Sequence, residues 1–192
     1  QALTNNTTGI NNLAVGYKAL TNNTTGIMNT AVGYEAFLDG SNNSYCTAVG
    51  VHALKTFSNG GENVAIGASA MYSVTKGDQN VAVGVSALRN DTNSKNTISQ
   101  NTAIGYQSLL YNTKESNTAV GRWSGRHDVS GNNNTYLGWN ADINSSANQW
   151  EYSTAIGANA KITASNQIML GGTGSNDSNG IYPLVNAPGG IT

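Results

Sequence analysis

One glycine recurs along this chain at a spacing that leaves little choice of architecture. Gly16, Gly33, Gly50, Gly67, Gly84, Gly105, Gly121, Gly138, Gly157 and Gly171 are separated by 17, 17, 17, 17, 21, 16, 17, 19 and 14 residues. A single period of about 17 residues, with two insertions and one contraction, therefore runs through nearly the whole chain. Such self-similarity implies one small unit stacked repeatedly on itself, in which each unit buries its apolar face only against its neighbours.

Aligned on the glycine, the fourth residue before it is Asn12, Asn29, Cys46, Asn63, Asn80, Asn101, Asn117, Asn134 and Ser153, which is Asn in seven of nine units. Three residues before it stands Thr or Val, with Leu13 the exception. Two before is Ala in all these units but one, where Tyr136 stands, and the residue just before is Val, Ile or Leu. This triplet predicts a short strand with Thr and Val/Ile on one face and a flat Ala/Gly surface on the other. After the glycine come a bulky residue such as Tyr17, Tyr34, Tyr106 or Trp139, then Ala or Ser, then Leu20, Phe37, Leu54, Met71, Leu88 or Leu109. That segment predicts a second short strand. The rest of each unit, such as Thr21 to Gly26, is a polar turn. The expectation is an all-β parallel β-roll or β-solenoid of about ten coils over residues 1–172. With coils stacked about 4.8 Å apart, it forms a rod about 45 Å long.

Composition agrees and removes other classes. Of 192 residues, 29 are Asn, 23 Gly, 20 Thr and 18 Ser, which are turn formers and not helix formers. Only 10% are charged and the formal net charge is −1, so nothing marks a nucleic-acid partner. No apolar run approaches the length of a membrane span, and no membrane insertion by this segment is expected. One cysteine, Cys46, and two histidines, His52 and His127, exclude a disulfide framework and a multi-cysteine zinc site, so neither a metal nor a cofactor is expected. Cys46 occupies the Asn position, which suits a buried small residue better than a reactive thiol. The Asn, Gly, Thr and Ser richness fits an extracellular, cell-surface or virion-surface location. Residues 173–192 lose the repeat, hold both prolines, Pro183 and Pro188, and are expected to link into a downstream segment.

Each coil has two or three apolar side chains, worth about 1.5–3 kcal/mol each, against an ordering cost of about 1–2 kcal/mol for every residue. Burial within one chain falls short. Stacked Asn12, Asn29, Asn63, Asn80, Asn101, Asn117 and Asn134 are expected to form an amide ladder that makes up part of the difference. The flat Ala/Gly face and exposed Tyr and Leu are expected to seat partner chains, giving a homotrimer.

These units resemble the head repeats of trimeric autotransporter adhesins, the Yersinia-adhesin-like β-roll, whose signature is Asn-Ser-Val-Ala-Ile-Gly-x-x-Ala-x-Ala. The best matches are Asn63-Val64-Ala65-Ile66-Gly67-Ala68-Ser69-Ala70 and Ser153-Thr154-Ala155-Ile156-Gly157-Ala158-Asn159-Ala160. The form Asn29 to Phe37 and Asn101 to Leu109 is similar to the variant in phage tail fibres and giant-virus surface fibres. The resemblance covers residues 11–172 and implies a left-handed parallel β-roll, trimeric, serving as a spacer or receptor-binding section of a fibre that attaches to a host glycan or protein receptor. The adhesin period is nearer 14, a length found here only between Gly157 and Gly171, so a longer turn is expected in most coils.

No catalytic constellation stands out, and the chain is expected not to be an enzyme. A carbohydrate-degrading tailspike needs two carboxylates at a fixed separation across a groove, and Asp128 with Glu115, Asp142 or Glu151 offers only scattered candidates. An ice-binding solenoid is suggested by the recurrent Thr, but that column is single and interrupted. The informative irregularity is the set of tryptophans, Trp123, Trp139 and Trp150, all in the C-terminal half beside Arg122, Arg126, His127, Asp128 and Tyr152. Aromatic faces beside Arg and Asp can hold a sugar by stacking and forked hydrogen bonds; the same aromatics also suit packing between chains. The long steps add loops at Asp91 to Gln100 and Asn144 to Glu151.

Overall fold

The computed structural model describes residues 1–90, 97–144 and 149–171. The expected linker, residues 173–192, lies outside these, as do parts of both long loops. The described chain contains no helix. Its strands are β1 (Leu13–Val15), β2 (Thr30–Val32), β3 (Thr47–Val49), β4 (Val64–Ile66), β5 (Val81–Val83), β6 (Thr102–Ile104), β7 (Thr118–Val120), β8 (Thr135–Leu137), β9 (Asp142–Ile143), β10 (Thr154–Ile156), β11 (Lys161–Ile162) and β12 (Ile168–Leu170). Ten of them form one parallel sheet in the order β1-β2-β3-β4-β5-β6-β7-β8-β10-β12, and β9 pairs with β11. The architecture is a parallel β-solenoid of about nine turns.

Register follows the glycine alignment without slippage: Thr30 pairs with Thr47, Ala31 with Ala48 and Val32 with Val49, and so on along the sheet. The glycine that ends each strand explains why. From Gly16 to Gly157 these glycines have φ between 111° and 139°, a region closed to side chains. A Cβ on Gly67 would lie 2.5 Å from the carbonyl oxygen of Gly84 in the next coil. Both backbone angle and coil spacing thus demand glycine at this corner.

The inside and outside of the coil differ from the expectation in two respects. The Ala face points inward: Ala31, Ala48, Ala65, Ala82, Ala103 and Ala119 are fully buried, while the Thr and Val/Ile flanks are partly exposed. Small Ala is needed because the tube interior is narrow and is already filled from the other wall. The filling comes from Leu20, Phe37, Leu54, Met71, Leu88 and Leu109, which were expected outside and are all buried. Tyr17, Tyr34 and Tyr106 are exposed, as expected.

The second strand of each coil is absent from the regular units. Ala19 and Leu20 are adjacent and both buried, as are Ala36 and Phe37, unlike the alternation of a strand with one solvated face. The chain instead turns through left-handed residues on either side of the buried Ala, Lys18 (φ 53°) and Leu20 (φ 50°), and repeats this at Glu35 and Phe37, His52 and Leu54. A third left-handed column runs through Met28, Tyr45, Glu62 and Gln79. Such angles cost about 1–2 kcal/mol per non-glycine residue. They persist because they aim backbone groups at the adjacent coil: Glu35 N–H donates to Tyr17 O at 2.8 Å and Leu20 N–H to Ala36 O at 3.0 Å. Among the described residues only β9 and β11, in the last coils, realise a second strand.

The Asn column works mostly by bridging to backbone. Asn29 Oδ1 accepts from Cys46 N–H at 2.9 Å, and its Nδ2 donates to Asn43 O at 2.7 Å. Asn12 does the same toward Asn29 N–H and Gly26 O. Direct amide-to-amide bonds occur where Asn80 Nδ2 reaches Asn63 Oδ1 (2.9 Å) and Asn101 Nδ2 reaches Asn80 Oδ1 (3.2 Å). Asn117 and Asn134 extend the column, donating to Gly131 O and Trp150 O. Cys46 is buried, and burial pushes its thiol pKa up to about 11, which makes it an inert member of the column.

Candidate ligand-binding surface

Two surface features stand out, and the strand alternation generates the first. Because Ala faces inward, the outer side of the ten-stranded sheet is a flat strip two residues wide, lined by Thr, Val, Ile and Leu. None of its outward strand residues is charged. Val15, Ile66, Ile104, Leu137 and Leu170 lie exposed in it. Beside it runs the residue after each glycine: Tyr17 stacks on Tyr34 with ring centroids 5.2 Å apart, and Val51, Val85, Tyr106 and Trp139 continue the row.

The second feature is where that row changes character. Arg122 follows Gly121 and Trp139 follows Gly138, with Trp123 held at φ 63° in the left-handed column. The Arg122 guanidinium lies 3.9 Å from the Trp123 ring centroid and 5.8 Å from that of Tyr106. Arg126 reaches to 5.7 Å from Trp123. Trp139, 46% exposed, lies 6.5 Å from Trp123 at an interplanar angle of 37°. Trp123 Nε1–H donates to Gln107 Oε1 at 3.1 Å, which fixes the ring.

Of the residues expected to act together, the structure gathers Arg122, Trp123, Arg126 and Trp139 and separates the others. Trp150 is half-buried against the core and donates from Nε1 to Asn144 Oδ1 at 3.3 Å. Tyr152 is exposed in the left-handed column that precedes the strands. No ring contact joins either to Trp123 or Trp139 among the described residues. His127 turns its Nδ1 to Asp142 Oδ2 at 2.6 Å, and its ring lies 6.4 Å from that of Tyr111.

Asp128 is not a surface ligand. It is fully buried and accepts from Gly131 N–H (2.8 Å), Tyr136 Oη–H (2.8 Å) and Asn134 Nδ2 (3.1 Å). Burial raises its pKa, and these three donors offset part of that. Burial, with Asp128 alongside, also drives the Tyr136 pKa well above its ordinary value. Sequence reasoning assigned Asp128 to a sugar because its neighbours in the chain are polar and aromatic. The signal it missed is an exchange inside the tube. Gly125 stands where other coils have Leu, and Tyr136 where they have Ala; a Cβ on Gly125 would lie 2.7 Å from Tyr136 Cδ2. The ring takes the volume the missing leucine leaves, and Asp128 receives its hydroxyl.

Asp142 is also fully buried, at the start of β9, where it accepts from His127 N–H and Ile143 N–H and lies 3.9 Å from Lys161 Nζ. Burial lowers the Lys161 pKa, with Asp142 acting in the opposite sense. Glu115 and Glu151 remain on the turns; Glu151 Oε1 accepts from Asn132 Nδ2 at 2.8 Å. These four carboxylates are therefore divided between the tube interior and the turns. His52 bridges to Glu35 at 3.4 Å, and Lys55 holds the same carboxylate at 2.7 Å, which lowers the Glu35 pKa. Two depressions are shallow and polar: one of about 490 Å³ lies among Ser44, Tyr45, Glu62 and Asp78, and one of about 330 Å³ among Thr113, Lys114, Glu115 and Asn132. No group of three or more His, Cys, Asp or Glu among the described residues is arranged to hold a metal ion. No described helix is long and apolar enough to cross a membrane.

No protein-family model matches the chain, and no curated protein or solved structure is significantly similar to it.

Proposed function

We propose that this chain is a structural and adhesive section of an extracellular fibre, on a cell or a virion, and that it works as a homotrimer attaching to a host glycan or protein receptor. The observation that carries the proposal is the uncharged outer strip of the ten-stranded sheet. It runs about 45 Å along the rod at the usual strand spacing, with Thr or an apolar side chain at every outward position. A surface that covers it must repeat its apolar groups every coil and carry no charge. A second copy meets both conditions.

The resemblance to adhesin head repeats supports three copies and a left-handed coil. The Asn, Gly, Thr and Ser richness supports an extracellular setting. A rod of identical coils has the mechanics of a spacer, and three parallel copies convert any weak surface site into a stronger one by raising effective concentration. The carboxylate arrangement gives no support to the alternative of a carbohydrate-degrading tailspike. The outward direction of Thr30, Thr47, Thr102, Thr118, Thr135 and Thr154 gives the ice-binding alternative a specific observation, and thermal hysteresis of the purified protein tests it.

Fibre assembly is tested by placing charge in the strip. Val49→Lys with Val83→Lys should reduce the solution mass to that of one chain while the circular dichroism of the β-solenoid persists. An unchanged multimer would overturn the proposed interface.

A further inference from the structure

The attachment reading leaves open what the fibre holds, and the Arg122, Trp123, Arg126 and Trp139 cluster bears on it. Neither guanidinium meets a carboxylate among the described residues. Asp128 is committed to Gly131, Asn134 and Tyr136, and Asp142, on the following coil, to His127, Ile143 and Lys161. Arg126 Nε is buried with no acceptor. Arg122 is exposed over the Trp123 ring, and Trp139 presents an exposed ring beside it.

This combination is local. Elsewhere the position after the glycine holds Tyr17, Tyr34, Val51, Ala68, Val85, Tyr106 and Ala158, with no charge among them. A cation in that row would disturb a strip closed by another copy, so Arg122 marks a place given to something else. Its occupant must offer an apolar face to indole and an anionic group to two forked donors. A pyranose ring supplies the first through its axial C–H groups. A carboxylate or sulfate on the sugar supplies the second, with the paired N–H geometry that guanidinium favours.

We propose that Arg122, Trp123, Arg126 and Trp139 form a binding site for an acidic glycan, a sugar chain bearing carboxylate or sulfate groups. The proposal rests on the attachment reading for its setting, and stands on its own geometry.

The test titrates the whole protein with oligogalacturonate (carboxylate only), heparin-derived oligosaccharides (sulfate and carboxylate) and neutral maltohexaose. Tryptophan fluorescence and calorimetry report binding, and light scattering is run on the same samples. Acidic oligosaccharides should bind, with affinity falling as salt is added, and maltohexaose should not. Arg122→Gln with Arg126→Gln, and separately Trp139→Ala, should each weaken binding about tenfold or more, the scale of a lost charge-assisted contact. If only the heparin-derived chains bind, sulfate is the group recognised; if both bind equally, carboxylate suffices. Equal binding of maltohexaose, no binding of either acid, or full affinity in the double arginine variant would overturn the site. So would a fall in mass with Trp139→Ala, because Trp139 would then pack between copies. A multimer that binds no acidic sugar would remove the site and leave the fibre reading intact; a monomer that binds would do the reverse.

Discussion

The coils from residue 13 to 90 and those from 121 to 171 are built on the same sheet and differ in almost everything else. In the first set the tube holds Ala, Leu, Phe and Met, the bulky residue four after each glycine is left-handed, and the exterior is monotonous. In the second set Leu gives way to Gly125, Asp142 and Lys161, a second strand pair appears at β9 and β11, two carboxylates enter the interior, and arginine and tryptophan gather outside. The outer sheet and its Gly corner define the repeat, whereas the interior is exchangeable as long as volume and hydrogen bonds are matched. Specialisation of the surface accompanies that exchange.

The largest effect should come from the feature both regions share. Gly67→Val introduces a β-branched side chain at φ 130° against the next coil's backbone and should cost more than about 3 kcal/mol, measured by denaturant unfolding. Next is the interior that separates the regions. Asp128→Ala leaves Gly131 N–H and Tyr136 Oη–H buried without an acceptor and Asn134 Nδ2 with Trp150 O alone, and should cost about 3 kcal/mol. The triple change Gly125→Leu, Tyr136→Ala and Asp128→Asn copies Leu109, Ala119 and Asn112 of the preceding unit. It should recover most of the stability that Gly125→Leu alone loses. If the triple variant is no better than the sum of its parts, the volume exchange is not what holds this coil.

A smaller effect concerns pH. The folded-state pKa of Asp128 is raised above its unfolded value, so the native state binds its proton more tightly. Stability from this group therefore rises as pH falls from neutral through the raised pKa, until the unfolded carboxyl also protonates near its ordinary value of about 4. Asp128→Asn should flatten that part of the pH profile. Glu35 acts in the opposite sense: its pKa is lowered, and its modest contribution is lost as pH falls through the folded value. The smallest effect should be Cys46→Asn, which restores the column and should add about 1 kcal/mol or less.

Much of the fold was legible because the period carries it. Ten aligned glycines fix strand positions and register, and the Asn column follows from the same alignment. The inward direction of Ala was not legible, since Ala suits an inner wall and a flat outer face equally. The corner after the glycine misled for a different reason: Lys18, Leu20 and Phe37 carry no mark of a left-handed backbone, which neighbouring coils impose through hydrogen bonds. The adjacent buried pair of Ala and Leu was the available sign. Of the surface cluster, Trp123, Arg122, Arg126 and Trp139 were recognisable because they break the repeat at known positions. Asp128, Trp150 and Tyr152 were grouped with them by nearness in sequence, but Asp128 turns into the tube, Trp150 packs against the core and Tyr152 lies in another left-handed column.

Light scattering of the unmodified protein in solution tests the central claim most directly. An uncharged strip covered by copies of itself predicts a mass about three times the 19.9 kDa of one chain. A single-chain mass at micromolar concentration, with the β-solenoid intact, would contradict it.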